Sequence, residues 1–110
     1  MKLNWENNED YFFLILFFYT QIFAQNNWLG EWVAIDQWQS EFSIKINKDG
    51  TATSNYADGE SGSWKLVDGN LKILWDSGKS DYFFKGVMGY QRIRNNKTNS
   101  YTSGLKRLSN

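Results

Sequence analysis

Five aromatic side chains are the best-equipped groups in this sequence for recognition: Trp38, Tyr56, Trp75, Tyr82 and Tyr90. Their flat faces suit small apolar or aromatic ligands, and their N–H and O–H groups supply polar handles. Trp38 stands out because it lies in a polar stretch, Gln37-Trp38-Gln39-Ser40, where no core asks for it. Trp75 reads first as a core residue. The carboxylates near turns are Asp58, Glu60, Asp76 and Asp81. Acid–base work of the glycosidase kind needs two of them across one cleft, and their spacing does not impose that. Turn chemistry alone accounts for Asp58 and Asp76. The chain has no histidine and no cysteine. That removes a Ser-His pairing for Ser61 or Ser63, thiol nucleophiles and Cys/His zinc sites. The glycines stand singly at hairpin tips rather than in a phosphate-binding loop. The expectation is a non-enzymatic protein that needs no metal and no cofactor.

The elements that must position these groups are strands. Asp-Gly pairs stand at Asp49-Gly50, Asp58-Gly59 and Asp68-Gly69, with Ser77-Gly78 one step further. Asp-Gly is favoured in tight hairpins, where backbone φ turns positive. Between the turns, apolar and polar residues alternate. Phe42, Ile44 and Ile46 oppose Ser43, Lys45 and Asn47, and Leu71, Ile73 and Trp75 oppose Lys72. Strands are expected at 29–36, 41–47, 51–56, 62–67, 70–75, 80–85, 87–94 and 100–108. In the fourth, Trp64 and Leu66 point inward; in the seventh, Met88 and Tyr90 oppose Gln91. Phe83 and Phe84 are adjacent, so one of them must face outward. Regularly spaced strands and turns, with no helix among them, predict an all-β domain: an eight-stranded antiparallel up-and-down meander closed into a barrel. An orthogonal β-sandwich is the neighbouring alternative.

Lysine plus arginine and aspartate plus glutamate both number 12, so the formal charge is zero. The charge is uneven, however. No acid follows Asp81, whereas Lys85, Arg92, Arg94, Lys97, Lys106 and Arg107 do. Solvated strand faces and guarded edges are the ordinary use of such residues. Arg92, Arg94 and Lys97 with Tyr90 and Tyr101 also resemble a nucleic-acid surface, but overall neutrality and the apolar leader argue for no nucleic-acid partner. Asn96-Lys97-Thr98 matches the N-glycosylation acceptor pattern, and a polar turn explains it equally well.

Residues 1–25 read separately from the domain at 26–110. Tyr11–Ala24 is almost wholly apolar, shorter than the roughly 20 residues of a membrane span but of signal-peptide length, with a cleavage point after Ala24. Glu6, Glu9 and Asp10 outweigh Lys2 where a signal peptide wants positive charge. Three accounts follow: an export signal, an uncleaved anchor through residues 11–24, or an apolar helix packed on the domain. A secreted or periplasmic protein is expected, with anchoring to the membrane by residues 11–24 as the alternative.

Gly30-x-Trp32 on the first strand resembles the Gly-x-Trp signature of the lipocalin and avidin superfamily. Lys48-Asp49-Gly50-Thr51, Gly62-Ser63-Trp64-Lys65-Leu66, Leu71–Trp75 and Ser103-Gly104-Leu105-Lys106-Arg107 are similar to small lipocalin-like domains of secreted bacterial proteins. The likeness covers about residues 28–108. It implies a barrel whose closed end sets Trp32 beneath a basic residue of the last strand, for which Arg107 is the choice. It also implies an interior that holds a small hydrophobic or aromatic ligand, bordered by Trp38, Tyr56, Trp75, Tyr82 and Tyr90. The chain departs from the family in its shortness, in a first loop reduced to Gln37–Ser40, and in lacking disulfides. The alternative is therefore a barrel filled by its own tryptophans, acting as a protein–protein interaction module through Phe83, Trp38 or the basic last strands.

Overall fold

In the computed structural model, residues 27–109 are described; the proposed leader at 1–25 lies outside them. The strands are β1 (Gly30–Ile35), β2 (Glu41–Ile46), β3 (Thr51–Ser54), β4 (Glu60–Val67), β5 (Asn70–Trp75), β6 (Ser80–Gly86), β7 (Gly89–Asn95) and β8 (Ser100–Ser109). Each pairs antiparallel with the next, and β8 pairs back onto β1, so the sheet is a closed eight-stranded barrel. Closure leaves no sheet edge open to a second chain.

The turn ladder works as its chemistry requires. At the β4–β5 hairpin, Asp68 has φ of 54° and Gly69 of 81°, the pair of positive values that a two-residue turn matched to strand twist demands. One barrel end carries the 47–50, 68–69 and 87–88 turns together with the chain's entry at Asn27–Trp28. The other end carries the loops 36–40, 55–59, 76–79 and 96–99, and is called the mouth below.

Side chains fill the interior. Trp32, Ala34, Ile44, Ala52, Leu71, Ile73 and Phe83 have no surface within reach of a water molecule. A residue with none lines no space that water, or any larger ligand, occupies. At the entry end, Trp28 and Trp32 lie 5.6 Å apart, with Phe83 and Tyr90 packed edge-on against Trp32 at 5.8 and 5.0 Å. Aromatic pairs in such geometry add to the stabilisation that their buried area already gives.

The sequence boundaries shift by two residues in three places and by at most one elsewhere. β4 begins at Glu60 rather than 62, β3 stops at Ser54, and Val87 and Met88 leave the strand to form the β6–β7 turn. Met88 is consequently exposed and not opposite Gln91. The choice within Phe83-Phe84 falls on Phe83, which is buried, so it contributes nothing to an exposed patch. Tyr82 and Phe84 face out and stack with centroids 6.1 Å apart.

One strand contact leaves no room for a side chain. A Cβ on Gly62 would lie 2.2 Å from the Leu74 carbonyl oxygen and 2.9 Å from Trp75 Cα. Both are backbone atoms and cannot swing away. A Cβ on Gly104 meets nothing within 4 Å. Gly62→Ala is expected to cost about 1–3 kcal/mol in urea unfolding, and Gly104→Ala to stay within about 0.5 kcal/mol of the parent.

Candidate functional site

Strand alternation brings an unexpected set of residues inward beneath the mouth. On β6, Asp81 shares the inward face with Phe83. On β7, Arg92 and Arg94 share it with Tyr90. The β6–β7 register places Asp81 opposite Arg94 and Phe83 opposite Arg92. Asp81 is thereby shared: its Oδ1 accepts from Arg92 Nη1 at 2.7 Å, and its Oδ2 accepts from Arg94 Nη1 at 2.8 Å and Trp75 Nε1 at 2.7 Å. Arg94 Nη2 donates to Glu60 Oε2 at 2.6 Å. Arg92 Nη2 donates to the Ile35 carbonyl at 2.9 Å and to the Tyr101 hydroxyl at 3.1 Å. The rings of Phe42 and Tyr101 flank the Arg92 guanidinium at 5.1 and 5.4 Å, and Tyr56 lies 5.6 Å from that of Arg94.

The cluster is electrically closed, since two carboxylates face two guanidiniums. Burial pushes the Asp81 carboxyl up from its ordinary range, and the charges of Arg92 and Arg94 pull against it. Asp81 and Arg92 present no surface to solvent. Arg92 Nε and Ser103 Oγ, inward neighbours across β7–β8, are buried without a hydrogen-bond partner. The basic residues of the last strands are thus divided: Arg92 and Arg94 are core residues, whereas Lys97 and Lys106 are exposed.

The structure does not bring the five sequence-selected aromatics to one pocket. Trp75 is buried and spends its indole N–H on Asp81. Tyr56 packs on Phe42 with centroids 4.7 Å apart, closing the space beneath the mouth. Tyr90 belongs to the opposite end, against Trp28 and Trp32. Tyr82 is on the outer face and its hydroxyl accepts from Asn70 at 2.8 Å. Trp38 alone is open, with 75% of its surface exposed on the mouth's rim. Two depressions in the described residues, of about 400 and 280 Å³, lie on the outside of the wall, the larger over Val33, Ile35, Gly104 and Leu108. None of the five aromatics lines either one.

The loop that carries Trp38 is held tightly. Asp36 Oδ1 accepts from the backbone N–H groups of Trp38 and Ser40, each at 2.8 Å. The Asp36 N–H donates to the Ser40 carbonyl at 2.9 Å, and the Gln39 N–H to the Asp36 carbonyl at 3.1 Å. Gln39 is kept at φ of 67°, where a side chain is uncommon and the surroundings must impose it.

At the far end, Gly30 takes φ of 118° as the chain enters β1, and Arg107 lies over the Trp32 ring, 4.2 Å from its centroid. Arg107 also donates to the carbonyls of Leu29 and Asn27, so the two residues named for closure do meet there. In comparison with known proteins, the chain matches no family model, no curated protein and no solved structure.

Asp81→Asn is expected to destabilise the fold by about 3–5 kcal/mol in urea unfolding, because it leaves two buried guanidiniums facing a single carboxylate. Replacing the exposed Lys97 with alanine should move stability by no more than about 0.5 kcal/mol.

Proposed function

We propose that this domain is an exported, non-catalytic protein–protein interaction module of lipocalin-like build, in which Trp38 is the anchor that enters a partner. The single observation behind this reading is an exposed tryptophan on a loop fixed by its own hydrogen bonds, above a barrel whose described core side chains are packed and buried. A buried tryptophan ring contributes more to protein binding than almost any other residue, and a loop already ordered loses little entropy on docking. The filled interior weighs against a small hydrophobic or aromatic ligand held inside the barrel. Export rests on the apolar stretch Tyr11–Ala24.

A photo-crosslinking amino acid in place of the exposed Gln37, beside an intact Trp38 and expressed in the source cells, tests the reading. A single defined adduct is expected there, absent from a chain carrying the same group at exposed Thr53. Unlabelled parent chain should suppress the adduct, and Trp38→Ala should not, while keeping its stability within about 0.5 kcal/mol. No adduct at 37, equal adducts at both positions, or equal competition by Trp38→Ala would contradict it.

A further inference from the structure

The β6–β7 turn is built from the wrong kind of residue for a polar surface. Gly86 and Gly89 form its last pair, and Val87 and Met88 stand at the tip with essentially their whole surfaces in solvent. Neither has positive φ, so turn geometry does not demand them. Neither belongs to the core cluster. The other two turns at this end are polar, Asn47–Gly50 and Asp68-Gly69. An apolar tip that nothing in the domain covers marks a contact surface.

The chain's path says what the surface meets. Arg107 holds the Asn27 and Leu29 carbonyls, and Trp28 donates its indole N–H to the Gly69 carbonyl at 2.9 Å. The Trp28 ring sits 5.7 Å from Tyr90, the residue after Gly89, and Lys85 reaches over the same Tyr90 ring at 5.6 Å. The polypeptide therefore enters the barrel beside the Val87-Met88 tip. A few residues before that entry, the sequence holds the apolar run Tyr11–Ala24. We infer that in a chain that keeps Tyr11–Ala24 this end of the barrel lies against a lipid bilayer, with Val87 and Met88 inserted into its interface and the mouth with Trp38 turned outward. Two side chains bury too little area to hold a soluble domain at a membrane by themselves. Beside an apolar stretch of the same chain, their insertion becomes an intramolecular step with a high effective concentration. The end carries both signs of charge, Lys48 and Lys85 against Asp49 and Asp68, so the contact is apolar rather than electrostatic. It depends on the position of the tip and not on whether Trp38 has a partner.

The absence of cysteine makes the test clean. Met88→Cys and Trp38→Cys in the full-length chain, each labelled with the polarity-sensitive fluorophore NBD, are mixed with phosphatidylcholine vesicles. The label at 88 is expected to shift to the blue and brighten at least two-fold, while the label at 38 stays water-like. Raising the salt to 1 M should leave the shift in place. In the Val87→Asp background the response at 88 should be lost although the chain still floats with the vesicles. A chain that floats with a water-like label at 88, a chain that does not bind the vesicles, or equal shifts at both positions would overturn the inference. A shift at 88 that arises without vesicles and grows with protein concentration would assign the tip to a second copy instead, and would overturn it equally.

Discussion

Asp81 is shared by two buried arginines, and the mouth half of the barrel depends on that sharing. A carboxylate removed from water is tolerated only where donors surround it. Arg92, Arg94 and Trp75 supply those donors from β7 and β5. The partners then propagate outward. Arg94 fixes Glu60 at the start of β4, and Arg92 reaches across to the Ile35 carbonyl at the end of β1. Strands far apart in sequence are thereby pinned beneath the loops, and Phe42, Tyr56 and Tyr101 cover the cations with their rings. Such a cluster fixes position at a cost in desolvation that an apolar core would not carry.

The barrel therefore has two unlike ends sealed by related means. At the entry end, Arg107 lies over the Trp32 ring and binds the carbonyls of the incoming chain. Beneath the mouth, Arg92 and Arg94 lie among aromatic rings and bind carboxylates. In each case a guanidinium joins an apolar face to a set of acceptors, for which its planar, weakly hydrated head is suited. Among the described residues, the large apolar side chains most exposed to solvent lie at the two ends: Trp38 on its pinned loop at one and Val87-Met88 at the other.

Much of the fold was legible because its signals are local. Asp68-Gly69 specifies its turn through backbone sterics, and Phe42, Ile44 and Ile46 specify a face through parity. The eight strands followed from turns of this kind. The charged cluster was less legible, because arginines are ordinarily placed in solvent. The signal was nonetheless present: Arg92 and Arg94 share parity with Tyr90, and Asp81 shares it with Phe83. Folding the hairpin about Gly86 and Gly89 sets Asp81 opposite Arg94. The aromatic set misled for a different reason. Residue type identifies a side chain suited to a pocket, but only register and strand direction say at which end, and on which face, it lies. Tyr82 is outside by parity, Tyr90 is at the far end, and Trp75 is claimed by Asp81. Trp38 was found by its polar neighbours, since a tryptophan among Gln, Gln and Ser has no strand face to join.

The occupancy of the barrel is most directly measured through its indole N–H groups. Trp32 donates to the Trp28 carbonyl and Trp75 to Asp81, both buried, whereas Trp38 is in solvent. In nuclear magnetic resonance spectra, a filled barrel predicts slow hydrogen exchange at the Trp32 and Trp75 indoles and fast exchange at Trp38. No apolar or aromatic compound should move the first two signals. Saturable displacement of the Trp32 and Trp75 signals by such a compound would show an interior that opens to a ligand, and would contradict the solid barrel.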